Sequence, residues 1–332
     1  MTAPPEIDWA SLTRLPLKAE LYGVESYFRE GHDSVVRVLG ADAGAFLRRT
    51  ALLVVKPDGM RTGKLLPVRE FLTRSGFAVA AVADVTYHRH LWQGLWRYQL
   101  TSATVDRLAV NDIVLRGPAL LLLLRDEAPT GVPAAVRLSG LKGSANLSRQ
   151  HAGSLRAVLG QPNRVLSLIH VADEPADVVR ELGVFLDAPR RARLLAAAIA
   201  DELPPEDAAA LAAAERAAAA PDDDLDVGAA LRRMSAVVAA APAAEAAADA
   251  ARFVRAMADG ERVCWLDVAD ALARAGVTLD PWDEALVATS YITYDEPGRA
   301  KLIENVEPAL WAPNGRVDGP LARPVTDERP IR

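Results

Sequence analysis

The chain's hydrophobic pattern predicts a mixed α/β domain followed by a helical region, and three observations carry that prediction. From Thr50 to Leu186, short apolar runs alternate with amphipathic stretches, the pattern of strands packed under helices. Beyond Pro189 the composition turns Ala-rich at 195–220 and 236–251, and alanine loses little entropy on entering a helix. The length, 332 residues, exceeds one minimal domain and suits two or three.

Taken in order, residues 1–49 read as a helical extension. Leu21, Val24, Tyr27, Phe28, Val35, Val36, Val38 and Leu39 recur among charges and predict one or two short amphipathic helices broken near Gly31. Within 50–188, strands are expected at 50–55, 77–86, 118–124 and 164–169. Leu65, Leu66, Val68, Phe71 and Leu72 recur at helical spacing between the first two strands, and Ser75-Gly76 stops that helix. His88–Arg116, with Trp92, Trp96 and Tyr98, predicts one or two helices. Asp173 and Glu174 before Pro175 mark a helix start, Asp173 being a candidate N-cap, and Val178, Val179, Leu182, Phe185 and Leu186 form the buried stripe. An Ala-rich helical region is expected over 189–258 and a small unit over 259–332, with an extended tail from Pro308.

Composition excludes several function classes. A net charge of −6 argues against a general electrostatic hold on nucleic acid. Cys264 is the only cysteine, so no intrachain disulfide is possible and a reducing, cytoplasmic setting is expected. Met1–Leu17 lacks the basic start and apolar stretch of a secretory signal. The most apolar run, Pro118–Leu124, is far short of the roughly 20 residues that span a bilayer, so no membrane partner is expected.

Two polar sites end apolar runs: Lys56-Pro57-Asp58-Gly59 after Ala51–Val55, and His170 after Val165–Ile169. A buried sheet holds strand ends rigidly, so a cation and an imidazole there suit a preformed phosphate pocket. Pro-Asp-Gly alone is an ordinary turn. Further markers follow in order: Gly63, Arg116-Gly117-Pro118, Leu141-Lys142-Gly143 with Asn146, Ser154-Leu155-Arg156, and Leu168-Ile169-His170-Val171-Ala172-Asp173 before a helix carrying Glu181.

In that order and spacing, residues 50–187 resemble a divergent nucleoside diphosphate kinase domain. The resemblance implies an α+β sandwich with a four-stranded antiparallel, ferredoxin-like sheet. It implies that His170 carries the γ-phosphoryl group of ATP or another nucleoside triphosphate to a nucleoside diphosphate or other small acceptor. An imidazole suits that role because near neutral pH much of it is unprotonated, with a free lone pair. By the same resemblance Lys56 and Arg156 bind phosphate, Asn146 lies in the nucleotide-binding loop, Asp173 lies near the nucleotide's Mg2+, and Glu181 orients His170. Family members usually assemble, so a homo-oligomer is a further expectation.

The departures bear on activity. The family usually has asparagine at the position of Ser167, threonine at Ala145, arginine at Ser139, and glycine and serine at Val171 and Ala172. His88–Arg116 does not match the segment that helps sandwich the base. A second reading therefore stands beside the first: a nucleotide-binding or scaffold module with weak or no turnover. Other motifs fail. Gly59–Leu65 is one residue short of a P-loop, and His88 with His90 lacks a third ligand, so no protein metal site is expected.

Overall fold

The structure is a computed structural model that describes residues 7–200, 202–219, 223–241 and 244–312. Pro221 and Asp222 of the acidic link, and the tail beyond residue 312, lie outside the described residues. The N-terminal region forms α1 (Trp9–Leu12), α2 (Pro16–Val24), α3 (Ser26–Leu39) and α4 (Ala43–Arg49). Contrary to expectation, the chain breaks at Glu25, which separates α2 from α3, and α3 runs straight through Gly31. Gly31 serves close packing: a Cβ there would collide with the Val179 carbonyl, and one at Gly183 would collide with the Tyr27 carbonyl.

The sheet comprises β1 (Thr50–Val55), β2 (Phe77–Tyr87), β3 (Gly117–Asp126) and β4 (Ile169–Val171), ordered β2-β3-β1-β4, and every neighbouring pair is antiparallel. Between the strands lie α5 (Pro57–Arg61), α6 (Leu65–Arg74), α7 (Arg89–Leu95), α8 (Val105–Val114), α9 (Ala134–Lys142) and α10 (Leu155–Val158). This is the four-stranded antiparallel sandwich expected. Strand alternation sorts the core. Leu52 and Val54 pack with Phe28, Val179 and Leu182 on one face, whereas Ala51, Leu53 and Val55 pack with Leu65, Val68 and Leu72 on the other.

After β4 come α11 (Pro175–Phe185), α12 (Ala188–Ala198), α13 (Pro205–Ala218), α14 (Val227–Ala239), α15 (Ala244–Ala258), α16 (Trp265–Arg274) and α17 (Pro281–Ser290). Two contacts tie the chain ends to the sheet. Buried Glu174 accepts from Thr13 Oγ1 (2.6 Å), Lys18 Nζ (2.9 Å) and Trp311 Nε1 (2.7 Å), so both terminal regions meet at the start of α11. On the outer edge of β2, Val82 N–H donates to Asp207 Oδ2 (3.0 Å) and Val82 O accepts from Arg193 Nη2 (2.7 Å). An edge strand presents unpaired backbone groups. An Arg193–Asp207 ion pair of 2.8 Å covers these two. Among the described residues no helix is long and apolar enough to cross a membrane.

Candidate functional site

The strand expected at 164–169 is displaced. Residues 165–168 are irregular, and His170 sits inside a three-residue strand opposite Val54 rather than beyond a strand's end. The cause is local. Ser167 N–H bonds Val165 O and Ile169 N–H bonds Ser167 O, each closing a three-residue γ-turn, and Leu168 holds a left-handed φ of 63°. A branched side chain disfavours that backbone region unless its surroundings fix it. Here the Lys56–Gly59 turn does so: Asp58 Oδ2 accepts from Leu168 N–H (2.9 Å), Lys56 N–H donates to Leu168 O (3.0 Å), and a Cβ on Gly59 would strike that same carbonyl. The Pro-Asp-Gly motif thus shapes the approach to His170.

Residues directly opposite in an antiparallel pair share a face, so His170 lies on the Val54 face, against α11. Its Nε2 is 2.8 Å from Glu181 Oε1, and Trp96 Nε1 is 3.4 Å from its Nδ1. An indole N–H only donates, so in this geometry Nδ1 is the acceptor and Nε2 carries the proton given to Glu181. The contact from Trp96 is long for a hydrogen bond and holds Nδ1 only weakly. Burial pushes the Glu181 carboxyl above its usual range, with His170 opposing that shift.

Trp96 is itself positioned. Arg180 makes a buried double ion pair with Glu25 (2.5 and 2.9 Å) and donates to the Leu95 and Gly94 carbonyls, which fixes the end of α7 beside the imidazole.

One cleft of about 990 Å3 is lined by Lys56, Asn146, Arg156, His170, Asp173 and Glu181, so the structure brings all six sequence-predicted site residues together. Their states differ. Lys56 Nζ is bound to Asp58 Oδ2 (3.2 Å) and Val165 O (3.1 Å), and burial lowers its pKa. Arg156 donates to Gly143 O (2.8 Å), its Nε is buried without a partner among the described residues, and burial brings its pKa down to about 10, still charged at neutral pH. Asn146 Oδ1 accepts from Ser148 N–H (3.2 Å), closing a local turn.

Asp173 is not the helix cap. Glu174 takes that place, in a capping box with Asp177. Asp173 Oδ1 instead accepts from Ser139 Oγ (2.6 Å) and Lys142 Nζ (2.7 Å). Burial works against its charge, but Lys142 and these hydrogen bonds hold the carboxyl below the usual range.

Trp96, Lys142, Arg107 and Asp295, to which sequence reasoning assigned no role, all line the cleft. Lys142 alone had a signal, in Leu141-Lys142-Gly143. Arg164 also lines the cleft.

Residues 49–190 match the family model of nucleoside diphosphate kinase. A comparison with curated proteins returns no match. Among solved structures, the chain is similar to the nucleoside diphosphate kinase of Aquifex aeolicus, at 19% identity over 41% of this chain and 93% of that one, with a TM-score of 0.34. It is similar to the Borrelia burgdorferi enzyme with bound vanadate and ADP, at 18% identity over 42% and 87%, TM-score 0.34. A halophilic nucleoside diphosphate kinase from Halobacterium salinarum in complex with CDP gives the same four values: 18%, 42%, 87% and 0.34. Residues 49–190 are a divergent nucleoside diphosphate kinase-like domain.

Proposed function

We propose that the nucleoside diphosphate kinase-like domain of residues 49–190 is a phosphotransferase that moves the γ-phosphoryl group of a nucleoside triphosphate through a phosphohistidine at His170. The acceptor is a nucleoside diphosphate or another small molecule. The observation that carries this reading is the His170–Glu181 contact of 2.8 Å, in a cleft that Lys56 and Arg156 also line; with Nε2 donating to Glu181, the lone pair is on Nδ1.

In the first half-reaction the Nδ1 lone pair forms a bond to the γ-phosphorus while the bond to the β,γ-bridging oxygen breaks, releasing a nucleoside diphosphate. The Glu181 carboxylate stabilises the positive charge that develops on the ring. In the second half an acceptor oxygen attacks that phosphorus, the N–P bond breaks, and the acceptor's proton leaves to solvent. Lys56 and Arg156 offset the negative charge spread over the phosphoryl oxygens, which is the main catalytic demand of such transfers.

Magnesium fits as a companion of the nucleotide. Among the described residues no three His, Cys, Asp or Glu side chains cluster to hold a metal ion, and Asp173 has already committed Oδ1 to Ser139 and Lys142. Mg2+ usually binds through one or two carboxylates plus substrate phosphates, so Asp173 is the residue that would approach it. When bound, the ion supplies further charge neutralisation.

The test is incubation of the full chain with Mg2+ and γ-labelled ATP. Acid-labile label on the protein, lost in His170→Ala, is expected; no such label rejects the relay. The second reading, a nucleotide-binding module without turnover, draws on Lys56, whose ammonium is already bound by Asp58 and Val165. Saturable ATP binding by calorimetry with no labelled His170 supports that module.

A further inference from the structure

The outer wall of the cleft comes from a part of the chain far from the family match. Residues 291–296 follow α17 and cross beside α8, where Asp295 forms an isolated bridge with Ala103. Glu296 N–H donates to Ser102 O (2.8 Å) and Thr104 N–H to Tyr294 O (3.2 Å), so this backbone is pinned. The Asp295 side chain enters a cationic pair. Arg107 Nη1 meets Oδ1 and Arg164 Nη2 meets Oδ2, each at 2.7 Å, and Ser102 Oγ adds a third contact to Oδ1 at 3.2 Å.

Two guanidinium groups and a hydroxyl converging on one carboxylate form the donor set that recognises a phosphate oxygen face. The wall does not present a stacking slot for a nucleobase. Of its two aromatic rings, Tyr291 packs against the core and Tyr294 lies under the Arg164 guanidinium at 5.1 Å and under that of Arg262 at 5.5 Å. Two positive charges face one negative charge, and the buried Arg107 Nε–H has no partner among the described residues. The trio is 20–30% exposed and opens to the cleft, so Asp295 can be displaced by side-chain rotation while its backbone stays pinned.

We propose that Arg107 and Arg164 form a second phosphate subsite in the cleft, held closed by Asp295 as an internal competitor. The ligand is an anion bearing a phosphate group, either the nucleotide itself or a phosphorylated acceptor. The inference rests on the cleft being a phosphotransfer site, yet it is read by binding alone and so fails separately from labelling at His170.

The test titrates the full chain with inorganic tripolyphosphate by calorimetry, beside Asp295→Asn and Arg164→Gln. Removing the competitor's charge tightens tripolyphosphate binding about tenfold, the size expected for one charge-assisted contact. Arg164→Gln keeps the Arg107–Asp295 pair, and with it the pinned segment, and weakens binding by a similar factor. If Asp295→Asn does not fold, Arg164→Gln decides alone. The subsite is overturned if a folded variant of either kind binds tripolyphosphate as the unaltered chain does. ADP in a parallel titration separates the sources: the same tightening in Asp295→Asn assigns the pair to the nucleotide's phosphates, and no change assigns it to a phosphorylated acceptor.

Discussion

Gly59 and Leu168 meet where the turn after β1 abuts the segment leading to His170, and the Leu168 carbonyl oxygen fills the space a side chain at 59 would need. The contact joins the end of β1 to the strained residue two positions before His170. Gly59→Ala is expected to cost about 1–3 kcal/mol, as overpacking does in a close-packed interior. Urea unfolding measures it, and the variant's labelling at His170 should fall because the turn shapes that segment. A variant as stable as the parent would show that Leu168 has room to retreat.

Glu181→Gln keeps the shape of the partner of His170 and removes its charge. A loss of about tenfold or more in the rate of phosphohistidine formation is expected, in line with the effect of removing groups that orient a working imidazole. The pH dependence has a definite sign. Burial raises this carboxyl's pKa in the fold, so the folded chain retains a proton that the unfolded chain has lost. Its contribution to stability is therefore complete below the ordinary carboxyl range and declines as pH rises through the elevated value. Unfolding curves taken upward from the ordinary carboxyl range should show that decline in the parent and lack it in Glu181→Gln.

Asp173 behaves in the opposite sense. Its folded pKa is depressed by Lys142 and Ser139, so it stabilises the fold above the ordinary carboxyl range and loses that contribution as pH falls toward the depressed value. Asp173→Asn should be less stable than the parent near neutrality, and the gap should close in acid. A gap independent of pH would show that the ion pair with Lys142 contributes nothing net.

Arg156→Gln is expected to weaken ATP binding about tenfold to a hundredfold, the range for a lost charge-assisted contact, by calorimetry. Arg156→Lys should not restore it, because a point charge cannot both hold the Gly143 carbonyl and present a fork to phosphate. Full recovery by lysine would mean that charge alone matters at this position.

Asp207→Ala leaves the Val82 N–H without its acceptor on an edge strand. A loss of about 1–3 kcal/mol is expected, together with concentration-dependent association in sedimentation, as a bare edge recruits another. An unchanged monomer–oligomer balance would show that neighbouring side chains guard the edge unaided.

What could be read from the sequence follows the range of the interactions involved. β1 was legible to the residue because five consecutive apolar side chains, Ala51–Val55, follow Thr50 and are buried on both faces. The stop at Ser75-Gly76 was legible because Gly76 takes a φ of 74°. Gly31 misled, since a helix-breaking residue and a close-packing residue are the same letter, and only the neighbouring Val179 carbonyl distinguishes them. The fourth strand was displaced because Val165–Leu168 is apolar for burial, not for pairing. Of the cleft, the six motif residues were legible through their order along the chain. Asp295 was not, because nothing local to it records that Arg107 and Arg164 await it 188 and 131 residues away.

The sealing of β2 by Arg193 and Asp207 has a consequence for biosynthesis. The stretch that carries the family match leaves the ribosome complete at residue 190, but its sheet edge stays bare until residue 207 emerges, and the cleft wall waits for Asp295, roughly a hundred residues later. At typical elongation rates that interval is on the order of ten seconds. During it the nascent domain exposes a strand edge and leaves Arg107 and Arg164 without Asp295. A chain truncated near residue 190 should therefore depend on chaperones where the full chain does not.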